Sequence, residues 1–345
     1  MTTELTPRPR QELLLPTAEI GHAANDYAAA AVFADYTSRK SRNTLRAQQA
    51  DLASYVTFLE AAHGVPLALS AADLQSDPQR WAGTTWGLVD GFTKWLLSEG
   101  YAIGTINRKL STVKIYVKLA AKTGIIPLDE LGLIQAVVGY GHTEGKRIDQ
   151  RRPQSRVGHK KAQNTSLSTV EARALKAQPD TPQGRRDALI MTLLLDHGLR
   201  VGELAGLKRQ DFNLEDGTFA FYRPKVDRTQ THRMSAATLA IATRWFTSGD
   251  APTSGPLLRG SRKNGELDKP GMSERAITAR VRFLAEELGI HGLSAHDCRH
   301  YWATQAARHG TDAFVLRDAG GWNSLAMPSR YVEESSVANA GVKLE

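Results

Sequence analysis

The amino-acid sequence predicts a mainly α-helical protein of two domains, the second mostly helical with one small antiparallel β-sheet. Apolar residues recur at helical spacing through most of the chain, and the runs stop at glycine. Residues 218–223 and 231–234 read instead as short strands. A basic stretch with few apolar residues, carrying Gly145, Pro153 and Gly158, separates the two regions as an extended linker. The resulting boundaries are an N-terminal tail 1–27, a helical domain 28–142, a basic linker 143–165 and a second domain 166–345 that includes a C-terminal tail. At 345 residues the chain has room for two cores.

In the first domain Leu45, Leu52, Val56 and Leu59 follow Ser41 at helical spacing, and Gly64 stops the run. Trp86 to Leu97 forms a second apolar helix closed by Gly100. Thr105 can cap a third, with Ile106, Leu110, Val113 and Val117 on its apolar stripe. Lys114, Lys118 and Lys122 line an adjacent flank of that helix at i, i+4 and i+8. Between Glu144 and Lys161 seven basic residues (Lys146, Arg147, Arg151, Arg152, Arg156, Lys160, Lys161) face two acidic ones, Glu144 and Asp149. In the second domain Ser168 and Glu171 fit a capping box. Arg186 to His197 is an apolar helix stopped by Gly198, and Ser273 to Leu288 another stopped by Gly289. Lys225 lies between the two strands. Ser294 or Ala295 opens a helix, and Pro328 suits the first turn of the last one.

The net charge of +8 and a pI near 9.5 suit a polyanionic partner. The single cysteine, Cys298, rules out an intramolecular disulfide and suits a reducing compartment. No run approaches the roughly 20 apolar residues of a membrane span, and no signal-peptide pattern opens the chain. The expectation is a soluble cytoplasmic protein. There is no Walker A sequence, HExxH, CxxC pair or EF-hand loop, so neither a nucleotide motor nor a metal hydrolase is supported, and no cofactor or metal is expected.

The chemistry is concentrated in the second domain. Arg200, His296, Arg299, Trp322 and Tyr331 occur in that order, in the contexts Leu199-Arg200-Val201-Gly202-Glu203, His296-Asp297-Cys298-Arg299-His300 and Gly320-Gly321-Trp322, with Tyr331 nine positions further on. A phosphodiester under attack gathers charge on its non-bridging oxygens, and planar guanidiniums match that geometry. His296 and Arg299, three apart, share one face of a helix whose positive end points at the same anion. Tyr331 is the candidate nucleophile. Glu203, one turn after Arg200, reads as a supporting residue that orients its neighbours, and His300 as either a supporting hydrogen-bonding group or packing.

In these residues the chain resembles the tyrosine recombinase family of integrases and Cre- or Xer-type enzymes. The resemblance spans residues 165–335 and, by position, 28–140. It implies a catalytic domain preceded by a helical core-type DNA-binding domain, and site-specific recombination through a 3′-phosphotyrosyl link. It also implies a homotetramer on paired double-stranded DNA sites, exchanging strands through a Holliday junction. Lys225 matches the hairpin lysine that protonates the leaving 5′-oxygen; the hairpin's usual glycine is absent, and Arg228 is a neighbouring alternative. Trp322 stands where many relatives have histidine, as in Cre-type members, and can donate its indole N–H. On this reading Lys114, Lys118, Lys122 and the linker's basic residues lie on phosphates. A tyrosine-type topoisomerase and a noncatalytic DNA-binding protein of the same fold remain as alternatives. The target site and any accessory protein are not legible.

Overall fold

Helix starts in this chain are set by short polar caps. Ser41, Ser70, Thr85, Ser168, Thr181, Ser235, Ser273 and Ser294 each accept a hydrogen bond from a first-turn backbone N–H. The computed structural model describes residues 16–152, 165–262 and 264–335. It divides into two compact units between Ala162 and Gln163.

The first unit is helical: α1 (Pro16–Ser38), α2 (Arg42–His63), α3 (Ala71–Ser76), α4 (Trp86–Ser98), α5 (Ile103–Lys122), α6 (Leu128–Ala136) and α7 (His142–Arg151). Its core centres on Trp81, fully buried, with Tyr55 stacked at 5.9 Å and Tyr116 at 6.1 Å. Rings that bury roughly 150–250 Å² each contribute about 4–6 kcal/mol apiece at ~25 cal/mol per Å², before the entropy of ordering them. Buried Asp51 ties α2 to α5. It accepts from Thr112 at 2.9 Å and from Arg108, with Lys109 at 3.6 Å.

Three expectations for this unit are corrected. α1 begins at Pro16, so residues 16–27 are helical rather than tail. α5 starts at Ile103 after Ala102, and Thr105 lies inside its first turn. The first part of the expected linker is helix α7, not an extended segment. Glu144 accepts from the backbone N–H of Gly141 at 3.0 Å and so starts the helix. Gly145 is buried on Ile103, where a Cβ would stand 3.0 Å from the isoleucine side chain. Arg152 donates to the carbonyls of Leu97 at 3.1 Å and Tyr101 at 2.8 Å.

The second unit runs α8 (Thr169–Lys176), α9 (Pro182–Asp196), α10 (Val201–Gly206), β1 (Phe212–Asn213), β2 (Thr218–Arg223), β3 (Arg228–Arg233), α11 (Ala236–Thr247), β4 (Arg259–Ser261), β5 (Leu267–Pro270), α12 (Glu274–Glu286), α13 (Ala295–Arg308), α14 (Ala313–Gly320) and α15 (Ala326–Ser335). β1, β2 and β3 form an antiparallel sheet in that order, with Arg223 opposite Arg228. β3 starts three residues before the expected Thr231. A second sheet, β4–β5, has no signature in the sequence, because residues 259–270 lack apolar alternation. The core of the unit gathers α9, α11, α12 and the inner face of β2 around Trp245. Beside it lies a smaller cluster of Ala303, Ala307, Leu316 and Tyr331, so the last helix is seated by the tyrosine itself. Among the described residues no helix is long and apolar enough to cross a membrane.

Candidate active site

Three arginines converge on one turn. α14 ends at Gly320, and Gly321 takes a left-handed φ of 61°. A Cβ on Gly320 would fall 1.8 Å from the Trp322 ring, and one on Gly321 would meet the Arg223 side chain at 2.6 Å. Only glycine fits both positions. The buried carbonyls of this turn take the arginines. Arg299 donates to Gly320 O at 2.5 Å and to Gly198 O at 2.6 Å. Arg200 donates to Gly321 O at 3.0 Å. Arg223 donates to Gly320 O and, at 2.8 Å, to Ala319 O.

Glu203 also holds Arg200. One carboxylate oxygen accepts from the Arg200 guanidinium at 2.7 Å and the other from the Arg200 backbone N–H at 2.9 Å. Its carboxylate also lies 3.6 Å from Arg223. Each guanidinium has five N–H donors, and these contacts leave several on Arg200 and Arg299 for an oxyanion. Arg299 is 3% exposed. Burial, and then the positive Arg200 and Arg223, hold its pKa down to about 9, so it stays charged at neutral pH. Trp322 lies with its ring 4.3 Å from the Arg299 guanidinium carbon and stacks on Trp302 at 6.1 Å.

Tyr331 is nearly buried, its ring 6.0 Å from Trp322. Its hydroxyl is 2.6 Å from Nδ1 of His300, whose Nε2 is 3.1 Å from Nε2 of His296. His296 is exposed. Desolvation, followed by the neighbouring His300 and Arg299, pulls its pKa below the ordinary histidine value and so favours the neutral ring. α15 starts at Ala326, and Pro328 falls within its first turn.

Lys225 is exposed at the β2–β3 turn and makes no hydrogen bond or ion pair among the described residues; its charge also depresses His296. The turn lacks glycine, and Asp227 adopts the left-handed conformation in its place (φ 46°), accepting from Tyr222 OH at 2.7 Å. Arg228 begins β3 and is exposed.

The basic residues outside this site separate. Lys118, Lys122, Lys146, Arg147 and Arg151 are exposed. Lys114 instead donates to the carbonyls of Gln135, at 2.9 Å, and Val137, closing the end of α6. Arg152 is likewise engaged with carbonyls. Arg156, Lys160 and Lys161 lie outside the described residues, as do residues 336–345 of the expected C-terminal tail, whereas Val332–Ser335 belong to α15.

Sequence reasoning missed Arg223. The signal was present: Phe219, Phe221 and Arg223 alternate on β2, and the first two are core residues, so period two puts the arginine inside. Burial lowers its pKa to about 10, with Glu203 acting in the opposite sense.

Residues 149–336 match the model of the phage integrase family. The tyrosine recombinase XerD of Neisseria meningitidis serogroup B is 30% identical over 187 residues, covering 52% of this chain and 62% of that protein. The chain thus spans under two thirds of the length of that relative. The tyrosine recombinase XerC of Rhodospirillum centenum is 27% identical over 305 residues, covering 85% of this chain and 78% of its own. Among solved structures, lambda integrase residues 75–356, a dimer bound to a COC′ core site, superposes with a TM-score of 0.56 at 15% identity, covering 94% of this chain and 99% of that one. The Tn1549 transposon integrase bound to transposon right-end DNA superposes at 0.55 with 14% identity, over 88% of this chain and 94% of that one. These likenesses establish the fold.

Proposed function

This chain belongs to the phage integrase family, and from that premise we propose that it is a site-specific DNA recombinase working through a 3′-phosphotyrosyl intermediate. The observation that carries the reading is the anchoring of Arg200 and Arg299 to the Gly320–Gly321 turn, ten residues before Tyr331. Donors fixed before the substrate arrives need no reorganisation as charge builds on the phosphate.

Tyr331 attacks the phosphorus as its proton passes to the histidines of α13, the bond to the 5′-oxygen breaks, and the two guanidiniums hold the non-bridging oxygens. The Trp322 indole N–H is a further donor to them. Lys225 gives a proton to the leaving 5′-oxygen. A 5′-hydroxyl of a partner strand then reverses the attack. One ester replaces another, so no ATP is consumed. Four protomers on two double-stranded DNA sites, exchanging strands through a Holliday junction in the cytoplasm, complete the proposal.

Two labelled duplexes carrying the DNA that flanks the protein's own gene are expected to give joint molecules containing strands of both. Relaxation of supercoiled DNA without joint molecules would assign the chain to topoisomerase chemistry instead.

Binding is carried in part by α7. Replacing Lys146, Arg147 and Arg151 with alanine is expected to lower the slope of log affinity against log salt by about 0.9 for each phosphate that α7 then leaves unneutralised. Cleavage by the protein already bound persists. An unchanged slope shows that α7 does not touch phosphates. Arg152 is left intact because its carbonyl contacts hold α7 to the first unit.

A further inference from the structure

Resting on the recombinase reading above, we propose that His300 takes the proton from Tyr331 while passing its own second proton to His296, so that a relay of two histidines activates the nucleophile. The residue between the tyrosine hydroxyl and His296 is His300. His296 and His300 are four apart on α13, with ring centroids 4.5 Å apart and planes at 85°, so the His300 ring reaches His296 with one nitrogen and Tyr331 with the other.

The hydrogen bonds admit one arrangement in which the hydroxyl donates. Tyr331 O–H gives its proton to a bare Nδ1 of His300. His300 therefore carries its proton on Nε2 and donates it to a bare Nε2 of His296, which is protonated on Nδ1. Such a chain needs both rings neutral, and the surroundings of His296 shift it toward that form.

The step balances within these three side chains and the phosphate. As the tyrosine oxygen bonds to phosphorus its O–H breaks, the proton arrives on His300 Nδ1, and the Nε2 proton of His300 moves to His296. His300 ends neutral in its other tautomer, and His296 ends as imidazolium. That charge appears one turn from Arg299, on the side where the phosphate gathers negative charge. Religation runs the relay backwards. The need for a base is plain, since a phenol of pKa about 10 is ionised in roughly one molecule in a thousand at pH 7. The other charged groups that act on His296 are Arg299 and Asp297 of α13 and Lys225 of the β2–β3 turn.

The test is single-turnover adduct formation on a nicked suicide substrate between pH 5.5 and 9, with wild type, His300→Ala and His300→Gln. The relay predicts a loss of about 10²-fold in both variants at pH 7. Their rates should keep climbing with pH toward the tyrosine's own pKa, and added imidazole should restore His300→Ala in part. A 5′-bridging phosphorothiolate should rescue neither, because the defect is on the attacking side. Wild-type rates in both variants overturn the relay. So does a loss with an unchanged pH profile and no imidazole rescue, which is the signature of a purely positional contact. Failure of the recombinase reading is distinct: the wild type itself would form no adduct.

Discussion

Replacing Tyr331 with phenylalanine is expected to abolish the denaturation-resistant protein–DNA adduct on a nicked suicide substrate while leaving DNA affinity nearly unchanged. One hydroxyl is lost, and the ring that seats α15 in its cluster with Ala303, Ala307 and Leu316 is retained. The missing hydrogen bond to His300 costs the fold about 0.5–1.5 kcal/mol, too little to unfold the unit. Denaturing electrophoresis after a long incubation decides the matter. An adduct that survives in this variant removes Tyr331 as the nucleophile.

Lys225→Ala carries the second-largest expected effect, about 10²- to 10⁴-fold on cleavage of ordinary DNA. The 5′-oxygen departs as a strongly basic alkoxide and needs a proton, whereas sulfur at that bridging position departs as a stable thiolate. The variant should therefore regain most of its rate on a 5′-bridging phosphorothiolate. Arg200→Ala should not, because its loss is of charge on the non-bridging oxygens. Equal impairment of Lys225→Ala on both substrates makes its role positional, and Arg228→Ala on the same pair is then the comparison that identifies the acid.

What could be read from the chain alone was what local physics decides. Ser41, Ser168, Ser273 and Ser294 mark helix starts because the cap lies within three residues of its partner N–H. β2 was legible to the residue because its alternation is unbroken. α1 was only partly legible: residues 17–31 are almost all exposed, so there is no apolar stripe for periodicity to find. α7 was hidden by Gly145, which reads as a breaker but is the residue that lets the helix lie on Ile103.

The candidate side chains around the phosphate could be named from their contexts, since Arg200, His296, Arg299 and Tyr331 each sit beside a distinctive neighbour. Their anchorage could not. It consists of main-chain carbonyls at 198 and 319–321, and no residue type announces where a carbonyl will point. The place of His300 between Tyr331 and His296 depends on how α15 packs on α13, which is likewise a tertiary matter.

The Gly320–Gly321 turn also fixes when disorder is surrendered. A free arginine side chain holds up to about 1.5–2 kcal/mol of rotamer entropy. Three of them lose much of that freedom as the second unit folds, because their terminal nitrogens fasten to carbonyls of their own chain. The loss belongs to folding and is absent from the DNA-binding equilibrium. A phosphate entering this site meets side chains that are already still.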